Sequence, residues 1–539
     1  MSRHIATLLS PAWGHALPYL HLAIRLLRTD PSLVITIVQH NVVVPKMKRE
    51  LEGCKYDARR LSILGVGSAN AEFTPAIMEQ ATKELVGGWL EILAGLMATD
   101  ASTKWPRPRT VHMDFLGGGF VFQPTKKLLG LSVKVVMFTS SGVTTMPDVL
   151  DTYNFPRVVR KISEDEAKRE GRTQQKIIVD VITAWNGSDK LDGRVLHIPG
   201  IPDIYDYEHI ARGAGDPDGV ASVIYSAAEM SAGVDAFIAL GSAALEPGSI
   251  SPVRDFYRAR GQVVFAVGPQ MHDSYFDDSC GGSGGPLPCP RNAKLSNEKL
   301  KRFLEDKFQK HGPRSVLYIS FGSLFFPRAT PEHVNAMVDV LLQLDEELPF
   351  VFVLAGKLAS LPEDIVNRIH NSGRGLVCDF WVEQQAVLQS GCVGWVLTHG
   401  GYKCGRHFLY HDPRTHLSRF SSITESLTQG IPLIVWPIGA EQAVNAVLLS
   451  TGPAPVAIEL FQIRAGAQLG PSLRSDAPRN ITGTLADATA EFRKTFADLK
   501  SAKGRALVRN ALSVRKLWRQ ERAVRDSDPA RELLRLVEY

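Results

Sequence analysis

The sequence predicts an α/β protein built from two doubly wound units, and three observations carry that prediction. The chain has 539 residues, past the size at which one hydrophobic core keeps growing, so two domains are expected. Short apolar runs alternate with amphipathic helical stretches, as in parallel strands joined by crossover helices. The stretch DDSCGGSGGPLPCPRN, residues 277–292, has linker composition, and the strand–helix pattern restarts after it.

The elements follow in order. IATLL reads as a first strand and YLHLAIRLLR as an amphipathic helix. LVITIVQ, LSILGV, TVHMDF and VKVVMFT read as further strands of the first unit. Beyond the linker, SVLYISFGS, PFVFVLAG, GLVCDFW, VGWVLTHGG and PLIVWP read as the strands of the second. The divisions expected are 1–272 for the first domain, 273–297 for the linker, 298–510 for the second domain and 511–539 for a C-terminal helical segment. That last segment is basic and reads as a solvated helix face, with a membrane-surface role as its rival.

Composition excludes several functions. With 44% hydrophobic and 22% charged residues the chain reads as a soluble globular protein. A net charge of +5 is small for this length, and no nucleic-acid partner is expected. The six cysteines form no CxxC pair, which favours a reducing compartment and a cytoplasmic location. No apolar run reaches the ~18 residues of a membrane span. The nearest match to a dinucleotide loop, GVGSAN at 65–70, lacks the third glycine and follows the third strand. A Walker loop and a HExxH helix are both missing. No metal and no cofactor are expected.

What remains is a strand ending in Thr398-His399-Gly400-Gly401, with SSITESL opening a helix further on. Two glycines let backbone approach a ligand closely. Ser421 or Ser422 can cap the helix, and a glycine turn feeding a helix N-terminus is an anion site. His399 can add a donor.

Around this anion site the chain resembles the donor signature of the family 1 UDP-dependent glycosyltransferases. The matching residues are Trp381, Gln384, His399-Gly400-Gly401-Tyr402, Ser422, Glu425, GIPLIVWP and Glu441-Gln442. With 403–420 set aside, every spacing from Trp381 to Gln442 fits. The resemblance implies a GT-B fold, two Rossmann-like domains facing across a cleft. It also implies roles: Trp381 stacked on uracil, the Val382 backbone and Gln384 beside it, and Glu425 on the ribose. The diphosphate would lie on His399, Gly401, Tyr402, Ser421 and Ser422, with Ser323 of SFGSLFFP touching it as well. Glu441 and Gln442 would bond the sugar. The family usually has Asp where this chain has Glu441, and often Trp where it has Tyr402, so the donor sugar stays open, with glucose or xylose expected.

The first domain supplies the other half of the resemblance. SPAWGHALPYLHLA is similar to the loop carrying the family's catalytic base, which makes His15 the candidate; Asp114 in VHMDFLGGG matches its orienting acid. LEPGSI and VFAVGP fit the pattern late in that domain. The implied reaction is inverting transfer from a UDP-sugar, the donor substrate, to a hydroxyl of a small lipophilic acceptor such as a terpenoid or phenolic. Phe73, Met78 and Trp89 are candidate acceptor-wall residues, although core packing explains such residues equally well. A silent nucleotide-sugar binder is the alternative from another class. Oligomeric state is not specified.

Residues 403–420, KCGRHFLYHDPRTHLSRF, interrupt the signature. They read as a surface loop, as a metal site on Cys404, His407, His411 and His416, or as a translated intron. The intron reading is favoured. AAG-TGC across Lys403–Cys404 supplies a GT donor, and TTC-AGC across Phe420–Ser421 supplies an AG acceptor. Excision then joins AA to C and restores HGGYNSITESL, with the family's Asn. Such a short intron suits a fungal gene, and the chain as written would then be an inactive version of the enzyme.

Overall fold

A computed structural model of the chain describes residues 3–68, 75–98, 105–130, 132–147, 154–186, 193–209, 217–276, 295–322, 325–354, 359–380, 382–401, 422–439, 441–524 and 526–539. Side chains within 75–79, 183–186 and 217–220, and that of residue 167, lie outside that description.

The first sheet has seven strands: β1 (Arg3–Leu8), β2 (Leu33–His40), β3 (Leu61–Val66), β4 (Thr110–Asp114), β5 (Lys134–Thr139), β8 (Ala236–Ala239) and β9 (Val263–Ala266). Between β5 and β8 the chain forms a small antiparallel hairpin, β6 (Val195–Leu196) with β7 (Ile204–Tyr205). The second sheet has six strands: β10 (Val316–Ser320), β11 (Phe350–Val353), β12 (Gly375–Cys378), β13 (Val393–Thr398), β14 (Leu433–Val435) and β15 (Ala457–Glu459). Strand order is β3-β2-β1-β4-β5-β8-β9 in one and β12-β11-β10-β13-β14-β15 in the other. Every pairing in both sheets is parallel. Both orders run outward in one direction and then the other from their first strand. Each sheet therefore has a topological switch point, between β1 and β4 and between β10 and β13. Open α/β sheets bind ligands at such a point, beyond the strands' C-terminal ends.

The apolar runs form these strands because most are buried on both faces, as parallel strands covered by helices must be. β2, β4 and β10 are buried at every residue. The edge strand β3 is not. The helix Trp13–Thr29 buries 13 of its 17 residues and sits squarely on the sheet.

Two segments make contacts that composition does not suggest. Residues 273–276 are held in place. A single 3-10 turn, Asp273–Tyr275, buries Tyr275 and ties Asp273 to Arg28 at 2.8 Å and Arg522 at 2.6 Å. The Gly-rich stretch 277–292 lies outside the described residues. The C-terminal segment is more than a solvated face. Its helices are Ala502–Ala523 and Asp528–Glu538. The second packs on β9 and on the helix Trp13–Thr29 of the first domain. Trp518, Leu533 and Leu536 are buried, and the Trp518 indole N–H donates to Ser242 Oγ at 2.7 Å. Apolar residues hidden among seven cations of the 502–523 helix make this seam.

Candidate active site

The chain leaves β1, turns through Ser10–Ala12 and enters the helix Trp13–Thr29, which puts His15 in its first turn, above the first switch point. β4 ends beside β1 at Asp114. His15 Nδ1 donates to Asp114 Oδ2 at 2.9 Å, and both side chains are essentially buried. The other oxygen, Oδ1, accepts the Leu116 backbone N–H at 2.9 Å, capping the helix Phe115–Leu129. Asp114 is therefore fixed by a backbone contact before it reaches the imidazole. It holds the proton on Nδ1, which makes Nε2 the acceptor nitrogen of the ring.

Ser140, one residue past β5, places its hydroxyl 3.2 Å from Nε2 and 3.3 Å from Nδ1 of His15. An oxygen in the ring plane could not be that near both nitrogens without striking the carbon between them, so it lies over the ring face. The Phe115 ring lies 5.3 Å from the imidazole. The imidazole is thereby boxed in. A second buried chain runs beneath it: the Thr7 hydroxyl contacts the Tyr19 hydroxyl at 2.7 Å, which contacts His112 Nδ1 at 2.6 Å. Burial pushes the His112 imidazole down to about 3, so it stays neutral and serves as a hydrogen-bonding member of the core.

At the second switch point, β13 leads into His399-Gly400-Gly401. Gly400 has φ +80°, and a Cβ there would come within 2.5 Å of Val435 Cγ1. A Cβ on Gly401 would lie 2.6 Å from His399 Nε2. Only glycines let this backbone fold against the histidine. Phe325 stacks on the His399 ring at 5.1 Å, and Thr398 Oγ1 lies 3.3 Å from its Nδ1. Burial pushes His399 down to about 4. At neutral pH it is an uncharged hydrogen-bond donor.

The helix Ser422–Thr428 is buried throughout, with Glu425 in its first turn. The Tyr318 hydroxyl donates to Gln384 Oε1 at 3.2 Å, and Gln384 Nε2 donates to Glu425 Oε2 at 2.6 Å. So Gln384 and Glu425, 41 residues apart, meet directly. Val382 is buried nearby in sequence. Glu441 precedes the helix Gln442–Ser450, and Gln442 Oε1 accepts the backbone N–H of Ile438 and of Gly439, each at 2.8 Å. Those two bonds fix the amide with Oε1 as acceptor and Nε2 as its donor end.

Ser323, Trp381, Tyr402 and Ser421 lie outside the described residues, as do the insert 403–420, Phe73 and the side chain of Met78. Trp89 is corrected. It is fully buried, and its indole N–H donates to Thr125 Oγ1 at 2.9 Å inside the core. That bond and its place in an apolar core cluster make it a packing residue. Sequence reasoning missed Ser140 and Asn445, whose Nδ2 donates to the Gly400 carbonyl at 3.0 Å. Ser140 had a usable signal, a polar residue at the C-terminal end of a strand next to the switch point; Asn445 had none. Among the described residues no group of three His, Cys, Asp or Glu side chains could hold a metal. No described helix is long and apolar enough to cross a membrane.

Comparison with known proteins places this geometry. The structure of UGT71G1 from Medicago truncatula, complexed with UDP-glucose, superimposes with a TM-score of 0.67 at 17% identity, covering 100% of this chain and 98% of that one. The chain has the GT-B fold. In sequence it is 26% identical to UDP-glycosyltransferase eriJ from Hericium erinaceus over 513 residues, 92% of this chain and 90% of that one. It is 31% identical to hydroquinone glucosyltransferase from Rauvolfia serpentina over 255 residues, 43% of this chain and 47% of that protein. No protein-family model matches the chain.

Proposed function

We propose that the chain is a family 1 UDP-glycosyltransferase of fungal origin, cytoplasmic, transferring glucose or xylose with inversion to a hydroxyl of a small lipophilic acceptor. The observation that carries this reading is the His15–Asp114 pair at the first switch point, opposite a domain whose own switch point is a glycine turn with a neutral histidine. The near-full-length likeness to a fungal UDP-glycosyltransferase supports the donor class. The hydroquinone acceptor in the name of a second relative supports the phenolic choice of acceptor.

The chemistry follows from the residues. An alcohol is a poor nucleophile at neutral pH, so a base must take its proton as the new bond forms. His15 Nε2 takes that proton while Asp114 stabilises the resulting imidazolium through Nδ1–H. The acceptor oxygen bonds the anomeric carbon as the bond from that carbon to the phosphate oxygen breaks, and UDP leaves with the electron pair. One displacement inverts the centre. His399 Nε2–H, the Gly400–Gly401 backbone and the first turn of the Ser422–Thr428 helix stabilise the leaving diphosphate. Trp381, Val382, Gln384 and Glu425 hold the uridine, while Ser323, Tyr402 and Ser421 line the phosphates. Glu441 and Gln442 bond the sugar.

The second reading is a chain that is inactive as written, because 403–420 separate Tyr402 from Ser422 in the diphosphate loop. Thermal unfolding with and without millimolar UDP tests both. A ligand at 100 times its dissociation constant adds about 2.7 kcal/mol to the native state. A midpoint rise of several degrees is expected from a working donor site. No rise in this chain, with a rise in the form lacking the insert, selects the second reading. No rise in either rejects the family.

A further inference from the structure

The helix Gln442–Ser450 is held from two sides. On one side Asn445 holds the Gly400 carbonyl, so the helix carries the glycine turn. On the other, Val444 and Val447, one turn apart, are buried against Leu196, Ile198 and Ile204. Those three come from the β6–β7 hairpin, which the first domain sends across to the second.

The hairpin is fastened there by polar contacts as well. The Tyr207 hydroxyl donates to the Pro471 carbonyl at 2.6 Å, and the Ser472 hydroxyl donates to Glu208 Oε2 at 2.9 Å. Glu208 and Arg464 have side chains only 2% exposed and lie 3.8 Å apart. Arg464 in turn donates to Glu459 Oε1 at 2.6 Å, and Arg474 reaches the other oxygen at 2.5 Å. Ser450, the last residue of the 442–450 helix, donates to that same oxygen at 3.3 Å. A first-domain carboxylate thus ends an ion network that reaches the far end of the helix.

We propose that the hairpin 193–209 is a positioning element of the donor site. Glu208 and the Leu196–Ile198–Ile204 strip set the 442–450 helix, which sets Glu441 and Gln442 at its start and the Gly400–Gly401 turn on its flank. Packed elements with shared hydrogen bonds transmit such constraints. The inference rests on the donor reading above. It adds that the sugar and diphosphate seat of the second domain is completed by a strut from the first.

Two variants of the full chain, Glu208→Gln and Val447→Ala, test it by mapping amide hydrogen exchange and by measuring UDP-glucose and UMP binding, with the insert-free form run in parallel. Exchange at 399–401 and 442–450 is expected to rise about tenfold with β1 to β5 unchanged, and UDP-glucose to weaken about tenfold while UMP does not. Glu208→Asp should recover part of the loss. Unchanged exchange, or a rise spread evenly over both domains, overturns the proposal. Equal weakening of UMP and UDP-glucose overturns it too. A local rise in a protein that binds no uridine nucleotide in any form rejects the donor reading and the positioning role together. The exchange map separates that result from failure of the strut alone.

Discussion

The two domains share a strand order and use it differently. In the first, the switch point holds a closed set of side chains: His15 touches both Asp114 and Ser140, and Asp114 is pinned by the Leu116 N–H. In the second, the switch point holds glycine backbone, Gly400–Gly401, with His399 lying against it. One arrangement suits moving a proton, since a base needs a partner that fixes its tautomer. The other suits seating an anion, since amides and a neutral donor bind charge without carrying any. The same topology supplies the switch point twice; the residues just past the strands decide what it does.

The sharpest way to break that comparison is His15→Ala. Removing the base should cost transfer about 10³-fold, within the usual range for general base catalysis. UDP affinity should stay within about twofold, since nothing in the second domain is touched. Asp114→Asn should lose somewhat less and unfold at nearly the same temperature, because Asn still caps the helix Phe115–Leu129. If His15→Ala weakens UDP as much as it slows transfer, the division of labour between the domains is wrong.

His399 gives the next largest effect. The unfolded chain's histidine takes up a proton near pH 6.5, but folded His399 resists until about 4. Between those values the unfolded state binds more protons, so stability falls as pH drops through that window, by about 3 kcal/mol in all. Above pH 6.5 the contribution is fully present. His399→Gln should remove that part of the acid sensitivity, measured as denaturant midpoints at pH 7 and pH 4.5. An unchanged pH dependence would mean His399 titrates normally and meets the diphosphate as a cation in mild acid.

How much of this was legible depends on distance along the chain. The strands were, because long apolar runs between helices have few other meanings. The second-domain motif was, because its residues sit at fixed spacings along one continuous stretch of sequence once 403–420 are set aside. The His15–Asp114 contact spans 99 residues and was legible only through resemblance. The hairpin 193–209 was not. Leu196, Ile198 and Ile204 look like any short apolar alternation, and their partners Val444 and Val447 lie in the other domain. Trp518 and Leu536 were masked by the cations around them. What escapes is contact between distant surfaces, which no local periodicity encodes.

The insert 403–420 sharpens the comparison from the second-domain side. Replacing 403–421 with a single Asn gives HGGYNSITESL and restores the run from Gly401 to Ser422 that an anion seat requires. UDP should then bind at least about tenfold more tightly, about 1.4 kcal/mol, while the pH dependence tied to His15 stays as it was. Calorimetric titration of both forms reads this directly. Equal affinity would show that the loop leaves the seat clear.

The smallest effect concerns a residue that belongs to neither switch point. Trp89 was a candidate for the acceptor wall, and its burial with a bond to Thr125 makes it core. Trp89→Phe keeps most of the apolar contact, leaves a small void and strands the Thr125 hydroxyl without its donor. The expected cost is about 1–2 kcal/mol of stability, seen as a lower midpoint in thermal unfolding. Acceptor KM should not move, for any lipophilic acceptor tried. A changed KM with unchanged stability would return Trp89 to the wall. It would also mean that the helix Pro75–Met97 opens when acceptor binds, making the first domain the more plastic of the two.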